Sequence, residues 1–234
     1  MNKHKNIAFT LAEVLIIIGI IGVVSVITIP NLVNNYQERQ FKAKWKKIYS
    51  QFTQISKKIA EDYSNDDFSS IVEDVRKENN LPEIHGRNDA LNIIFRNYFK
   101  HLQFACNGHC SGSGSWGCLS MLGRAENNRA GYSFLNGNNA GYWVLGYTPT
   151  ACFQVVDFNF ALDTYANDGV VSVDVNGSRK PNVIGKDIFV LKIKDLNNVI
   201  PGGGKKFYDG ELYACDKNAS KGGPACSVKY LKEN

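Results

Sequence analysis

Three sets of residues in this chain have the types and spacing to do chemistry: one carboxylate inside an apolar run, six cysteines, and a short stretch of hard oxygen donors. The carboxylate is Glu13. It is followed by 24 residues, Val14 to Gln37, without a formal charge and half of them Ile or Val, enough helix to cross roughly 30 Å of hydrocarbon. An ionisable group at the edge of such a segment costs up to about 3 kcal/mol on insertion scales, less towards the headgroups. A partner for Glu13 is therefore the first thing to look for.

The cysteines are Cys106, Cys110, Cys118, Cys152, Cys215 and Cys226, all beyond the apolar run. An even count in Gly- and Ser-rich sequence suits disulfides formed in an oxidising compartment. Cys106, His109, Cys110 and Cys118 would also supply three thiolates and an imidazole for zinc, but a C-x3-C pair with a third cysteine eight residues on fits the common ligand spacings poorly. Six cysteines permit fifteen connectivities. The pair favoured here is Cys215 with Cys226, which flank a polar, Gly-rich loop. Closing such a loop is worth about 3 kcal/mol on a chain-entropy argument.

The oxygen donors lie in VDVNGSRKPNVIGKDIF, residues 173 to 189. Asp174, Asn176 and Asp187 would suit a calcium ion, although the full EF-hand loop and its closing glutamate are missing. The alternative is a β-turn at Asn176-Gly177 with a second bend at Pro181-Asn182. Enzymatic signatures are not found. No HExxH or G-x-S-x-G occurs, and Gly202-Gly203-Gly204-Lys205 lacks the spacing and following Ser or Thr of a phosphate-binding loop. The chain reads as a non-enzyme.

What must position these residues follows from length and pattern. Once the first 35 or so of 234 residues are set aside, about 200 remain, 44% of the whole being hydrophobic and 21% charged. That is enough for a helix and one cored domain. Removing residues 1 to 8 takes Lys3 and Lys5 with it and lowers the formal charge from +5 to +3. What positive charge is left clusters at Arg39 to Lys47, too local to argue for nucleic acid. Phe41, Trp45, Ile48, Phe52, Ile55, Ile59 and Tyr63 recur every three or four residues, so the helix continues past the apolar run with one stripe to bury. Pro30 predicts a kink or local melting between the two halves.

Further on, 67–78 and 89–102 read as helices, the second with Asp89 as N-cap. Runs at 142–147, 152–162, 170–175, 188–193 and 208–215 read as strands between Gly, Asn and Pro punctuation. Helices followed by strands predict an α+β head with an antiparallel sheet laid on the long helix. Three units result: 1–8 as a leader, 9–63 as a long helix crossing the membrane over about 9–33, and 64–234 as a disulfide-bearing head. The cysteines place that head outside the cytoplasm.

Three accounts of the first 30 residues compete. An ordinary secretory signal should end in a small-x-small cleavage site and gains nothing from Glu13, and a plain single-pass anchor leaves Glu13 equally unexplained. The third account is a resemblance. Ala8-Phe9-Thr10-Leu11-Ala12-Glu13, then an apolar run containing Gly22 and closed by Pro30, resembles the prepilin N-terminus of type IV pilins and type II secretion pseudopilins. Counting from Phe9, Glu13 is fifth and Pro30 twenty-second, as in that family; the residue before the cut is Ala8 where the family usually has Gly.

The resemblance implies a pilin-like fold, cleavage between Ala8 and Phe9 by a prepilin peptidase, and N-methylation of Phe9. It implies storage in the bacterial inner membrane with the head outside the cytoplasm. Assembly then follows, through an inner-membrane platform and ATPase, with copies of itself and sibling pilins, into a filament in the periplasm or at the cell surface. Glu13 would pair with the α-amino group of Phe9 in a neighbouring subunit. The disulfide-bounded loop Cys215 to Cys226 is similar to the loop late in many pilins, and some major pseudopilins carry calcium late in the chain. Two other functions stay open: an adhesin or ligand-binding module presented on the same helix, for which Ser115-Trp116-Gly117 is the candidate surface, and a secreted disulfide-rich protein.

Overall fold

In a computed structural model, residues 10–83, 86–104, 151–162, 169–177, 179, 181, 183–203, 215 and 226–233 are described. The predicted leader, Ala8 and Phe9, Cys106, Cys110 and Cys118, the 115–117 loop and the runs at 142–147 and 208–214 lie outside them. Residues 1–40 and 41–234 form two compact units.

Helix α1 covers Leu11–Tyr63. Over its first 30 residues the large apolar side chains are exposed, from Val14 and Leu15 through Leu32 to Tyr36. By length and composition this helix is apolar and long enough to cross a membrane. The melting expected at Pro30 does not occur, since helix is continuous through it. Nearby side chains bond back to the helix: Thr28 Oγ1 donates to Val24 O at 2.8 Å and Asn31 Nδ2 to Ile27 O at 3.3 Å. In hydrocarbon these polar groups would have no water to bond, so satisfaction within the helix is what makes them tolerable there.

From Phe41 onwards α1 belongs to the second unit, and its buried face is Phe41, Trp45, Ile48, Phe52, Ser56 and Ile59. The stripe drifts by one residue from the simple reading, because Ser56 is buried where Ile55 is only partly so. A straight helix with 3.6 residues per turn drifts in this way against a strict 3-4 repeat. Ser64, at φ 49°, ends the helix in the left-handed conformation, with Asn65 N–H returned to Ala60 O at 3.1 Å.

Helix α2, Phe68–Glu78, starts on Asp67, whose carboxylate accepts from Ser70 N–H at 3.0 Å. Helix α3, Gly86–Arg96, begins three residues before the predicted Asp89 cap and stops short of 102. Gly86 sits so close to Leu81 that a Cβ would lie 2.9 Å from the Leu81 Cβ, so the turn into α3 rests on the glycine.

The sheet among the described residues is an antiparallel meander of β1 Gln103–Phe104, β2 Ala151–Gln154, β3 Asn159–Leu162, β4 Val170–Asp174, β5 Ile188–Lys192 and β6 Ile200–Pro201, in that spatial order. The run 152–162, read from sequence as one strand, is a hairpin. Ala151 pairs with Leu162 and Gln154 with Asn159, and Val155 N–H bonds Phe158 O across the turn at 2.9 Å. Phe153, Phe160, Val171, Val173, Phe189 and Leu191 join the core formed with α1, α2 and α3. An aromatic cluster centres it, the Phe160 ring centroid lying 5.2 Å from that of Phe52 and 5.5 Å from that of Phe95, both at steep angles.

A final described helix, α4, covers Cys226–Lys232. Ser227 Oγ accepts from Val190 N–H at 3.0 Å and Gly202 N–H bonds Val190 O at 2.7 Å, so the open edge of β5 is closed where β6 ends.

Candidate functional site

The start of α1 holds a reciprocal cap. Thr10 N–H donates to Glu13 Oε2 at 2.8 Å and Thr10 Oγ1 to the same oxygen at 2.9 Å, while Glu13 N–H donates back to Thr10 Oγ1 at 3.3 Å. This is the capping box of a T-x-x-E start. Glu13 thus has a partner within its own chain, and the negative charge sits at the helix end whose dipole favours it. Thr10 was not singled out from the sequence, although its spacing to Glu13 is the visible signal. Gly22 and Pro30 lie further along the exposed helix, with nothing near the open side of Gly22.

The second site is the turn that leaves β4. Asp174 and Asp187 are fully buried and Asn176 is 8% exposed. Asn176 N–H donates to Asp174 Oδ1 at 3.1 Å, and Val183 N–H to Asp187 Oδ1 at 2.6 Å. Val175 N–H bonds Asp187 O at 2.9 Å, which ties the two ends of the segment together. Asp174 Oδ2 is buried with no hydrogen-bond partner. A buried, unsatisfied carboxylate oxygen costs free energy unless it meets a proton or a cation. Burial first, and then the charge of Asp187, push the Asp174 carboxyl up to about 9. Two positive groups reach the turn, both through backbone carbonyls: Lys44 of α1 donates its ammonium to Val175 O at 3.2 Å and Arg179 donates Nε to Asn176 O at 3.2 Å.

The turn expected at Asn176-Gly177 is present, with Gly177 at φ 69°. Turn and ion site are therefore compatible rather than alternatives. The residues fit a hard cation: two buried carboxylates, and the buried side-chain oxygen of Asn176 in the same turn. Among the described residues no group of three or more His, Cys, Asp or Glu side chains gathers. Calcium would thus be held by Asp174, Asn176 and Asp187, with its remaining coordination completed by water and backbone carbonyls.

The family models, the curated proteins and the solved structures contain no match to this chain.

Of the cysteines, Cys215 and Cys226 form a disulfide, with Cα atoms 4.6 Å apart, and Cys152 is disulfide-bonded too. The Cys215–Cys226 bond holds the first residue of α4. From that helix Ser227 O accepts from Trp45 Nε1 at 2.9 Å, and Tyr230 lies under the Lys42 ammonium at 4.3 Å. Beyond it, Glu233 takes Lys42 at 2.9 Å and, through its backbone oxygen, Lys46. Of the basic cluster after the apolar run, Lys42 and Lys46 thus bond at the end of α4, Lys44 bonds Val175 O and Lys47 lies 3.7 Å from Asp157. A Cys215→Ser, Cys226→Ser double variant is expected to lose about 3 kcal/mol of stability. The check is the urea midpoint of the full chain in detergent micelles, and a midpoint equal to that of the parent would contradict it.

Proposed function

We propose that the chain is a structural subunit, a pilin or pseudopilin, of a type IV pilus-like or type II secretion filament. It is made as a membrane-stored precursor, cut between Ala8 and Phe9 by a prepilin peptidase, methylated at Phe9, and assembled through α1 with copies of itself and sibling subunits on an inner-membrane platform. The observation that carries this reading is the bare apolar half of α1, in which Thr28 and Asn31 bond back to the helix and Glu13 is capped by Thr10. Both Thr10 donors use Oε2 of Glu13. In the filament Oε1 would accept from the α-amino group of Phe9 in the adjacent subunit, an ion pair strengthened by the poorly screening surroundings.

Calcium at Asp174, Asn176 and Asp187 would hold the segment between β4 and β5 closed in the exported head.

The experiment is assembly with two variants at one position. Glu13→Gln keeps an acceptor for Thr10 and loses the charge; Glu13→Val loses both. Both are expected to be stored in the membrane and cut at Ala8, and both to give at least about tenfold fewer filaments, the loss of one buried charge pair worth upwards of 1.4 kcal/mol. Normal filaments from Glu13→Gln would remove the intersubunit ion pair. An N-terminal peptide beginning elsewhere than at Phe9 would remove the prepilin reading.

A further inference from the structure

The acidic turn is wired to α1 through a single peptide group. The Val175–Asn176 peptide presents its N–H to Asp174 Oδ1 at 3.1 Å and its carbonyl to Lys44 Nζ at 3.2 Å. One plane thus reads the carboxylate on one side and the helix on the other, because a planar trans peptide cannot turn its two polar ends independently. Lys44 adjoins Trp45, which stacks on Phe189 with ring centroids 4.8 Å apart. Phe189 is two residues after Asp187 on the way into β5. The same turn of α1 therefore rests on both ends of the acidic segment.

Resting on the cation reading above, we infer that occupancy of the Asp174–Asn176–Asp187 site by a divalent cation seats α1 on the sheet, with Lys44 as the positioning residue that carries the coupling. Where neither a cation nor a proton meets Asp174 Oδ2, its hydration requires the turn Val175–Gly177 to open. Opening rotates the 175–176 peptide and releases Lys44. The Trp45 turn then loses one of its two supports. With the cation bound, the carboxylates are neutralised in place and the peptide is fixed. A metal held in the head thereby controls how firmly the helix that would build a filament is attached to it.

A lysine beside a cation site would otherwise be expected to repel the ion, and that gives the test opposite signs. Full chain in detergent micelles, with Trp116 and Trp143 replaced by Phe so that Trp45 alone reports, is stripped with EGTA and titrated with calcium at fixed pH. Calcium is expected to lower acrylamide quenching of Trp45 at least about twofold. Lys44→Met is expected to weaken calcium binding by about fivefold, since coupling between two sites is reciprocal. If calcium binds but Trp45 quenching does not move, or if Lys44→Met binds as tightly or more tightly, the coupling is overturned and the cation site stands. If no calcium binds up to about 5 mM, beyond the weakest structural sites, both are overturned.

Discussion

Trp45→Ala is expected to lower the unfolding free energy by about 4 kcal/mol, a large part of the margin of a typical domain. Trp45 is fully buried, stacks on Phe189 at 17°, packs against Tyr49 and gives its indole N–H to Ser227 O. Truncation removes the largest side chain of the α1 stripe, leaves a cavity between helix and sheet, and strands a buried carbonyl. Trp45→Phe, which keeps one stacked ring but loses the N–H and the rest of the indole, should cost about 2 kcal/mol. Urea unfolding of the full chain followed by far-ultraviolet circular dichroism measures both. A loss below about 1.5 kcal/mol for the alanine variant would mean that α1 is not locked at this turn.

The second large effect is a pH dependence of unusual sign. In EGTA the protein is expected to lose stability steadily as pH rises from about 5 to about 9. The carboxyl of Asp174 stands at about 9 in the folded chain against an ordinary 3.8, raised by burial and by Asp187 and only partly offset by the backbone N–H groups of Asn176 and Gly177 and by Lys44. Between those values the folded state holds a proton that the unfolded state has released, so linkage makes unfolding easier with each step in pH. Most acid-paired domains behave the other way over the lower part of that range. Asp174→Asn should flatten the slope and leave the chelated variant more stable than the parent at pH 8. Calcium should flatten it in the parent, because it takes the place of the proton. Thermal midpoints from pH 5 to 9, with and without calcium, decide it; a flat parental profile in EGTA would count against an uncompensated Asp174.

Much of the frame was legible from spacing alone. The residues from Phe41 to Ile59 name the buried face of α1 because apolar residues at helical intervals have little else to do. The α+β order and the antiparallel sheet followed from helices preceding β-branched runs. The hairpin within 152–162 was missed because Val155, Val156 and Phe158 keep the run apolar through its turn, and Val156 at the tip is 78% exposed. Helix α4 went unread because seven residues with two lysines carry too little pattern, and its role depends on tertiary contacts to Trp45 and Val190. At the candidate site, sequence put Asp174, Asn176 and Asp187 together but could not show that all three are buried. Nor could it show Lys44, which comes from an element more than 100 residues away.

The bond between Trp45 and Ser227 joins residues 182 positions apart, and Lys42 reaches 191 positions to Glu233. Neighbouring strands of the meander pair in chain order and can zip as the polypeptide emerges. The seat of α1 cannot close until chain beyond residue 227 has been made. Through that interval the segment from Phe41 to Ile59 waits with its aromatic face uncovered, an amphipathic helix open to non-native contacts until α4 arrives.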